Sequence, residues 1–220
     1  IKFLIKNPKK TKKIQKDSFH NVVHELKTNS KVIDDIRDET LNKFKFNINR
    51  KKNFKIIHVS NFGNRQANRL YNISIAKKIS NGLIRNGHDV INISDRDVVR
   101  FNRGLRSFNK GLDYFNNLLL ETIDNYKPDA IILGHVNNIK DTTFQIIKKT
   151  NKNIRLAQWF EDNLSISGPD PDVNYNNFTK YTKYLDHSFV TSDPKFLKLD
   201  KKFNCSFMPI PVDKNIEYLK

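Results

Sequence analysis

The sequence predicts an α/β protein, a Rossmann-like doubly wound parallel sheet with an N-terminal helical extension. Three observations point there. From Lys55 onward, short β-rich runs alternate with amphipathic segments long enough to be helices, the pattern of βαβ units and a parallel sheet. Helix stops punctuate the alternation: Gly87 follows one amphipathic segment and Pro128 stands just beyond another, as C-terminal signals do. The length of 220 residues suits one large domain with a proper core plus an appendage.

The elements follow in order. "KNPKKTKKIQK" within residues 1–17 is a polar basic run expected to be mobile. From Ser18, a candidate N-cap, Phe19, Val22, Val23 and Leu26 recur with helical spacing, and Val32, Ile33, Ile36 and Leu41 continue less regularly to about Phe46. "NRKKN", 49–53, reads as a linker, so residues 1–53 form a basic, partly helical extension and 54–220 the α/β domain. Strand one is "KIIHVS", 55–60, and a turn "NFGNR" leads into a long helix, 67–87. "HDVINIS" is strand two, and "SDRDVVRFNRG" a polar connection. Helix 111–126, strand 129–134, helix 141–150 and strand 154–159 follow. Then come helix 175–185, strand 187–192, a short helix over 193–199 with Pro194 at its start, and a last strand opening "CSFMPIPVD".

Composition narrows the function classes. No run of about 18 apolar residues exists, so no membrane-spanning helix is predicted, and the basic N-terminus lacks the apolar core of a signal peptide. The lone Cys205 and the absence of Cys/His spacing argue against zinc and disulfides. A reducing, cytoplasmic setting is the simplest expectation. The net charge is +17, concentrated early: residues 1–55 hold sixteen Lys or Arg against six Asp or Glu. The Lys, Asn and Ile bias has the look of an AT-rich genome, while the charge itself would draw residues 1–55 to an anionic membrane surface. No aromatic-rich or zinc-finger signature supports a specific nucleic-acid partner. The chain opens on Ile1 and stops at "EYLK", which reads as a fragment.

In an open parallel sheet, ligands lie at the carboxyl ends of the strands. Four tips are candidates: Ser60 to Arg65, Ser94 to Asp97, Gly134 to Asn138 and Trp159 to Asp162. At the first, Gly63, Asn64 and Arg65 open a helix whose N–H groups can meet a phosphate or hydroxyl, with Arg69 four residues on. The motif is neither G-x-G-x-x-G nor a P-loop, so an ordinary dinucleotide site is disfavoured. At the third, Gly134 lets the backbone pass closely, His135 can take a proton near neutral pH, and Asn137 is a substrate contact. At the fourth, either Trp159 stacks on a sugar or base and Asp162 orients a hydroxyl, or Trp159 belongs to the core and Glu161 and Asp162 cap the loop. His20, His24, His58, His88 and His187 read as structural. If strands three and four are neighbours, His135 and Asp162 should share a hydrogen bond that raises the His pKa. The loop Ser165 to Asp172 should then cover the crevice, moving about Gly168.

"NGLIRNGHDVINISDRD", "PDAIILGHVNNI", "IRLAQWFEDN", "HSFVTSDPKFLK" and "SFMPIPVD", in this order over roughly 54–220, resemble the N-terminal half of GT-B glycosyltransferases, closest to the group-1 and CgeB-like bacterial enzymes. The first loop departs from the Gly-Gly form of many relatives. The resemblance implies an acceptor-side Rossmann-like domain, inactive alone, whose partner domain binds a nucleotide-sugar donor. It implies no metal or other cofactor. It also implies sugar transfer to a hydroxyl acceptor, with His135 as base and Asp162 or Glu161 as the next candidates if the reaction inverts. The alternative reading is a non-catalytic Rossmann-like module holding a nucleotide or phospho-ligand at Arg65.

Overall fold

The computed structural model describes residues 9–14, 16–18, 53–64, 74–104, 107–195, 197–199, 202–213 and 217. The chain divides into two compact units, Ile1–Lys51 and Lys52–Lys220. In the first, residues 9–14 and 16–18 are helical, so the described part of the basic run expected to be mobile is helix. The helices expected beyond it, and the linker up to Lys52, lie outside the described residues.

The second unit is a parallel α/β sheet flanked by helices. Its strands are β1 (Lys55–Ser60), β2 (Asp89–Ser94), β3 (Ala130–Gly134), β4 (Arg155–Phe160), β5 (His187–Val190) and β6 (Cys205–Phe207). Between them run α1 (Ile75–Arg85), α2 (Asp95–Asn102), α3 (Phe108–Tyr126), α4 (Asp141–Thr150), α5 (Pro171–Thr179) and a 3-10 turn, Thr182–Tyr184. The six-stranded sheet has the order β2-β1-β3-β4-β5-β6, and every pair is parallel. β2 lies on one side of β1 and β3 on the other, so the order reverses there. In doubly wound sheets that reversal opens a crevice at the strand tips.

Both faces are covered, and the strand residues sort between them with period two. Register aligns Ile57, Ile131 and Leu156 on one face and His58, Ile132 and Ala157 on the other. The first face packs Ile57, Val59, Leu133 and Leu156 against Phe115, Leu119 and Phe144 from α3 and α4. The second packs Ile132 and Trp159 against Phe62 and Ala76, Ile75 and Ile79 of α1. Burial on two faces explains why the strands are near-continuous apolar runs rather than alternating ones. Beyond β6 the chain turns back to α1. Met208 joins the second cluster, and buried Asp213 accepts from Asn81 Nδ2 at 2.9 Å and pairs with Arg85 at 3.0 Å.

Three segments differ from the sequence expectation. The polar connection after β2 is the helix α2, with Asp95 and Asp97 in its first turn, where carboxylates suit the helix dipole. It crosses α3 at Gly111, where a Cβ would fall 2.1 Å from Val99 O. The segment expected as helix 175–185 begins earlier, at Pro171, whose fixed φ suits a first helical position. It breaks after Thr179, and the next turn is 3-10. The described residues of 193–199 form hydrogen-bonded turns, Leu197 N donating to Asp193 O and Leu199 N to Pro194 O, where a short helix was expected.

Candidate functional site at the strand tips

The carboxyl ends of β1 to β4 converge on one rim. At the first tip, Gly63 has φ +67, a turn conformation that favours glycine. Two of the N–H groups there are already committed: Phe62 N donates to Ser94 Oγ at 3.1 Å and Asn64 N to Asp97 Oδ2 at 2.7 Å. Ser94 Oγ itself donates to the same carboxylate at 2.6 Å. A carboxylate therefore occupies the place where a phosphate-binding loop presents free donors. Arg65 and Arg69 lie outside the described residues.

At the third tip the backbone is tightly held. Gly134 lies beside Trp159 in the sheet register, and a Cβ on it would fall 2.1 Å from the indole. The missing side chain lets the indole lie across β3 and reach β1, where Trp159 Nε1 donates to His58 Nε2 at 2.9 Å. That bond makes Nδ1 the protonated nitrogen, facing Ser80 Oγ at 2.7 Å. Trp159 is only 3% exposed. The expected stacking face is thus not presented to a ligand: the ring is a platform beneath the rim, because His58 draws it into the core.

His135 follows immediately, in the left-handed region at φ 47, a strain characteristic of functional positions. Its ring stacks on Phe160 with centroids 5.4 Å apart. The loop behind it is fixed from below. Asn116 of α3 donates to Asn138 O and accepts from Lys140 N and Thr143 Oγ1, and Tyr181 Oη donates to Ile139 O. Asp95 Oδ2 accepts from Asn137 N at 3.1 Å and Asn138 Nδ2 at 2.9 Å. In the amide orientation that satisfies both groups, Asn137 Oδ1 accepts from Arg96 Nη2 at 3.2 Å. Asn137 thereby links α2 to the β3 tip.

At the fourth tip the two carboxylates meet the imidazole. His135 Nε2 is 3.5 Å from Glu161 Oε1 and 3.8 Å from Asp162 Oδ2. Neither contact is a hydrogen bond, so the shared bond expected between His135 and Asp162 is not made. The expected rise in the His135 pKa is also reversed: burial pushes it below the ordinary value and outweighs the Asp162 charge. Burial, followed by repulsion from Asp162, pushes Glu161 up to about 7. Burial likewise raises Asp95, with hydrogen bonds from Asn137 N opposing it. Near neutrality the site thus holds a neutral imidazole beside a carboxyl able to gain or lose a proton.

Four buried side-chain polar atoms among the described residues lack a hydrogen-bond partner: Ser60 Oγ, Asp95 Oδ1, His135 Nε2 and Glu161 Oε2. Each follows or ends one of β1 to β4. An unmet buried polar group costs about 1–3 kcal/mol, so their concentration on one rim marks a place prepared for a ligand. A small cavity of about 40 Å³ lies there, lined by Arg96, His135, Asn137, Trp159 and others. Glu161 lines a second, open groove of about 590 Å³, within the range of small-molecule sites. Among the described residues no cluster of three His, Cys, Asp or Glu could hold a metal, and no helix is long and apolar enough to cross a membrane.

The loop over 165–172 is held at its ends to the start of α5. Asn174 Nδ2 donates to Asn163 O and Pro169 O, and Gly168 is needed for close approach, since a Cβ would meet Asn163 at 2.8 Å. Sequence reasoning assigned no role to Ser60, Asp95 or Arg96. The available signal was position alone, since the β2 tip was a candidate and Asp95 and Arg96 stand on it.

His58 gives a stability prediction. It is fully buried, and burial pushes its pKa down to about 3. A depressed folded value means the unfolded chain binds the proton more readily. The contribution is therefore present above about pH 6.5 and is lost as pH falls toward 3, by roughly 5 kcal/mol. Glu161, with a raised folded value, acts in the opposite sense between its ordinary value and about 7, but it is partly exposed and its share is smaller. Urea midpoints measured from pH 7 to pH 4 should fall steeply. His58→Gln, less stable at pH 7, should show a shallower decline, and an equal decline would remove His58 as the cause.

Comparisons with protein-family models, with curated proteins and with solved structures found no match.

Proposed function

We propose that residues 54–220 are the acceptor-side domain of a GT-B-type glycosyltransferase, moving a sugar from a nucleotide-sugar donor to a hydroxyl-bearing acceptor. The observation that carries this reading is the rim itself: unpartnered polar atoms at four adjacent tips, with His135 facing Glu161 and Asp162. In an inverting transfer, His135 Nε2 takes the acceptor hydroxyl proton as the acceptor oxygen bonds to the anomeric carbon. The bond from that carbon to the donor's phosphate oxygen breaks, and its electron pair leaves on the nucleoside diphosphate. Burial keeps the imidazole in its neutral, proton-accepting form, and Asp162 stabilises the imidazolium that results. In a retaining transfer the same groups would orient the acceptor.

The phospho-ligand module is less well supported, because Asn64 N already serves Asp97 and the carboxylate repels an anion. The test is a panel of nucleotide sugars assayed for transfer and hydrolysis with the protein as encoded. Turnover of at least one donor is expected, and a negative result across the panel with tight nucleotide binding to this chain would favour the module instead.

A proposed contact with anionic membrane rests on the first unit. Lys9, Lys12, Lys13 and Lys16 recur at i, i+3, i+4 and i+7 and are exposed, forming one basic helical face. Cosedimentation with phosphatidylserine vesicles at low salt should be lost on deleting residues 1–50, and no binding by the intact chain would exclude the contact.

A further inference from the structure

The small cavity at the rim has a chemistry of its own. Among the described residues, Arg96 lines it and no Asp or Glu does. Glu161 and Asp162 lie against His135 Nε2 but outside that lining. The polar side chains beside Arg96 are His135, Asn137, Gln158, Asn177 and Tyr181. At about 40 Å³ the cavity has room for a small polar group rather than a sugar ring.

Two cations converge on one residue of its wall. Arg96, second in α2, donates from Nη2 to Asn137 Oδ1 at 3.2 Å in the amide orientation that satisfies both groups, which leaves the other guanidinium donors for a further partner. Lys180, directly after α5, donates from Nζ to Asn137 O at 2.8 Å. Among the described residues neither cation has a carboxylate within ion-pair distance. By contrast, Lys140, Lys148 and Lys183 each pair with an aspartate. Asp95 is near enough to act on both Arg96 and Lys180. Its Oδ2 is taken up by Asn137 N and Asn138 Nδ2, however, and burial disfavours its ionised form. Even when ionised, one carboxylate does not balance two cations.

We infer that this cavity seats an oxyanion group of the acceptor, carboxylate or phosphate, against the Arg96 guanidinium, with Lys180 as its second cation and the rest of the acceptor outside on the rim. The planar fork of a guanidinium matches either oxyanion through paired N–H donors. The place is distinct from the first tip, where the Asp97 carboxylate stands. The inference deepens the transferase reading, on which it rests for the ligand's role. His135 lines the same cavity, so a hydroxyl of an acceptor anchored there lies beside the proposed base.

The test is a titration of the chain with acetate and, separately, with inorganic phosphate near neutral pH, chloride holding the ionic strength constant, followed by NMR of the His135 ring nitrogens. Acetamide, which has the shape of acetate without its charge, is the blank. Saturable shifts are expected with at least one anion and none with acetamide, and the tighter anion tells carboxylate from phosphate. Arg96→Gln should weaken binding about tenfold or more, and Lys180→Gln about threefold. Lys180 is exposed, so its variant carries the test if Arg96→Gln fails to fold. Lys148→Gln removes the same charge from a lysine paired with Asp186 and should leave the affinity within about twofold. No saturable shift with either anion, an equal response to acetamide, or an equal loss in Lys148→Gln would each overturn the inference. No donor takes part, so a failure here is distinct from a failure of nucleotide-sugar turnover.

Discussion

Gly134→Ala should destabilise the second unit by about 3 kcal/mol or more, at the upper end of overpacking effects. The added Cβ would fall 2.1 Å from Cε2 and Cζ2 of Trp159, a rigid ring with no flexible end to swing aside. The ring cannot slide either, because Nε1 is bonded to fully buried His58 and register pins Gly134 between Ser60 and Trp159. Relief would require breaking the His58 bond or separating β3 from β4. Urea unfolding measures the loss. Gly134→Ala combined with Trp159→Leu should recover part of it, since the two positions share one contact. A Gly134→Ala midpoint equal to that of the parent chain would show that the indole does not lie where described.

His135→Ala should lower the rate of sugar transfer by on the order of a hundredfold or more if the imidazole is the base. The proposed transfer should lose rate on the acid side as His135 takes a proton, at a pH below the ordinary histidine value because burial depresses it. That acid limb should vanish in the variant. A structural role is separable from a chemical one through the backbone. His135 sits at φ 47, where glycine is at ease, so His135→Gly should stay within about 1 kcal/mol of the parent in stability while losing the same activity. A change of only a few-fold in rate would return His135 to a packing role.

Much of the fold was legible because the forces that set it are local. Buried strands such as "KIIHVS" and "DAIILG" are apolar runs bounded by turn signals, and the intervening helices carry amphipathic stripes. The sequence also marked His135, Glu161 and Asp162 as residues at neighbouring strand tips, and the structure brings both carboxylates within 4 Å of the imidazole. What was not legible depended on contacts distant in the chain. α2 has few apolar residues, and its first turn is held by bonds to the loops after β1 and β3. Trp159 read as a stacking residue because its partner, His58, is 101 residues away. The direction of the His135 shift turned on burial against Phe160 and Trp159, which no spacing of charges reveals.

The central claim is that the rim holds a neutral imidazole beside a carboxyl whose proton exchanges near neutral pH. The most direct measurement is an NMR titration of the chain, following the His135 ring nitrogens and the Glu161 carboxyl carbon from pH 4 to pH 9. The His135 midpoint should lie below its ordinary value and the Glu161 midpoint near 7. A Glu161 carboxyl that titrates in the ordinary glutamate range, with His135 above its ordinary value, would contradict it.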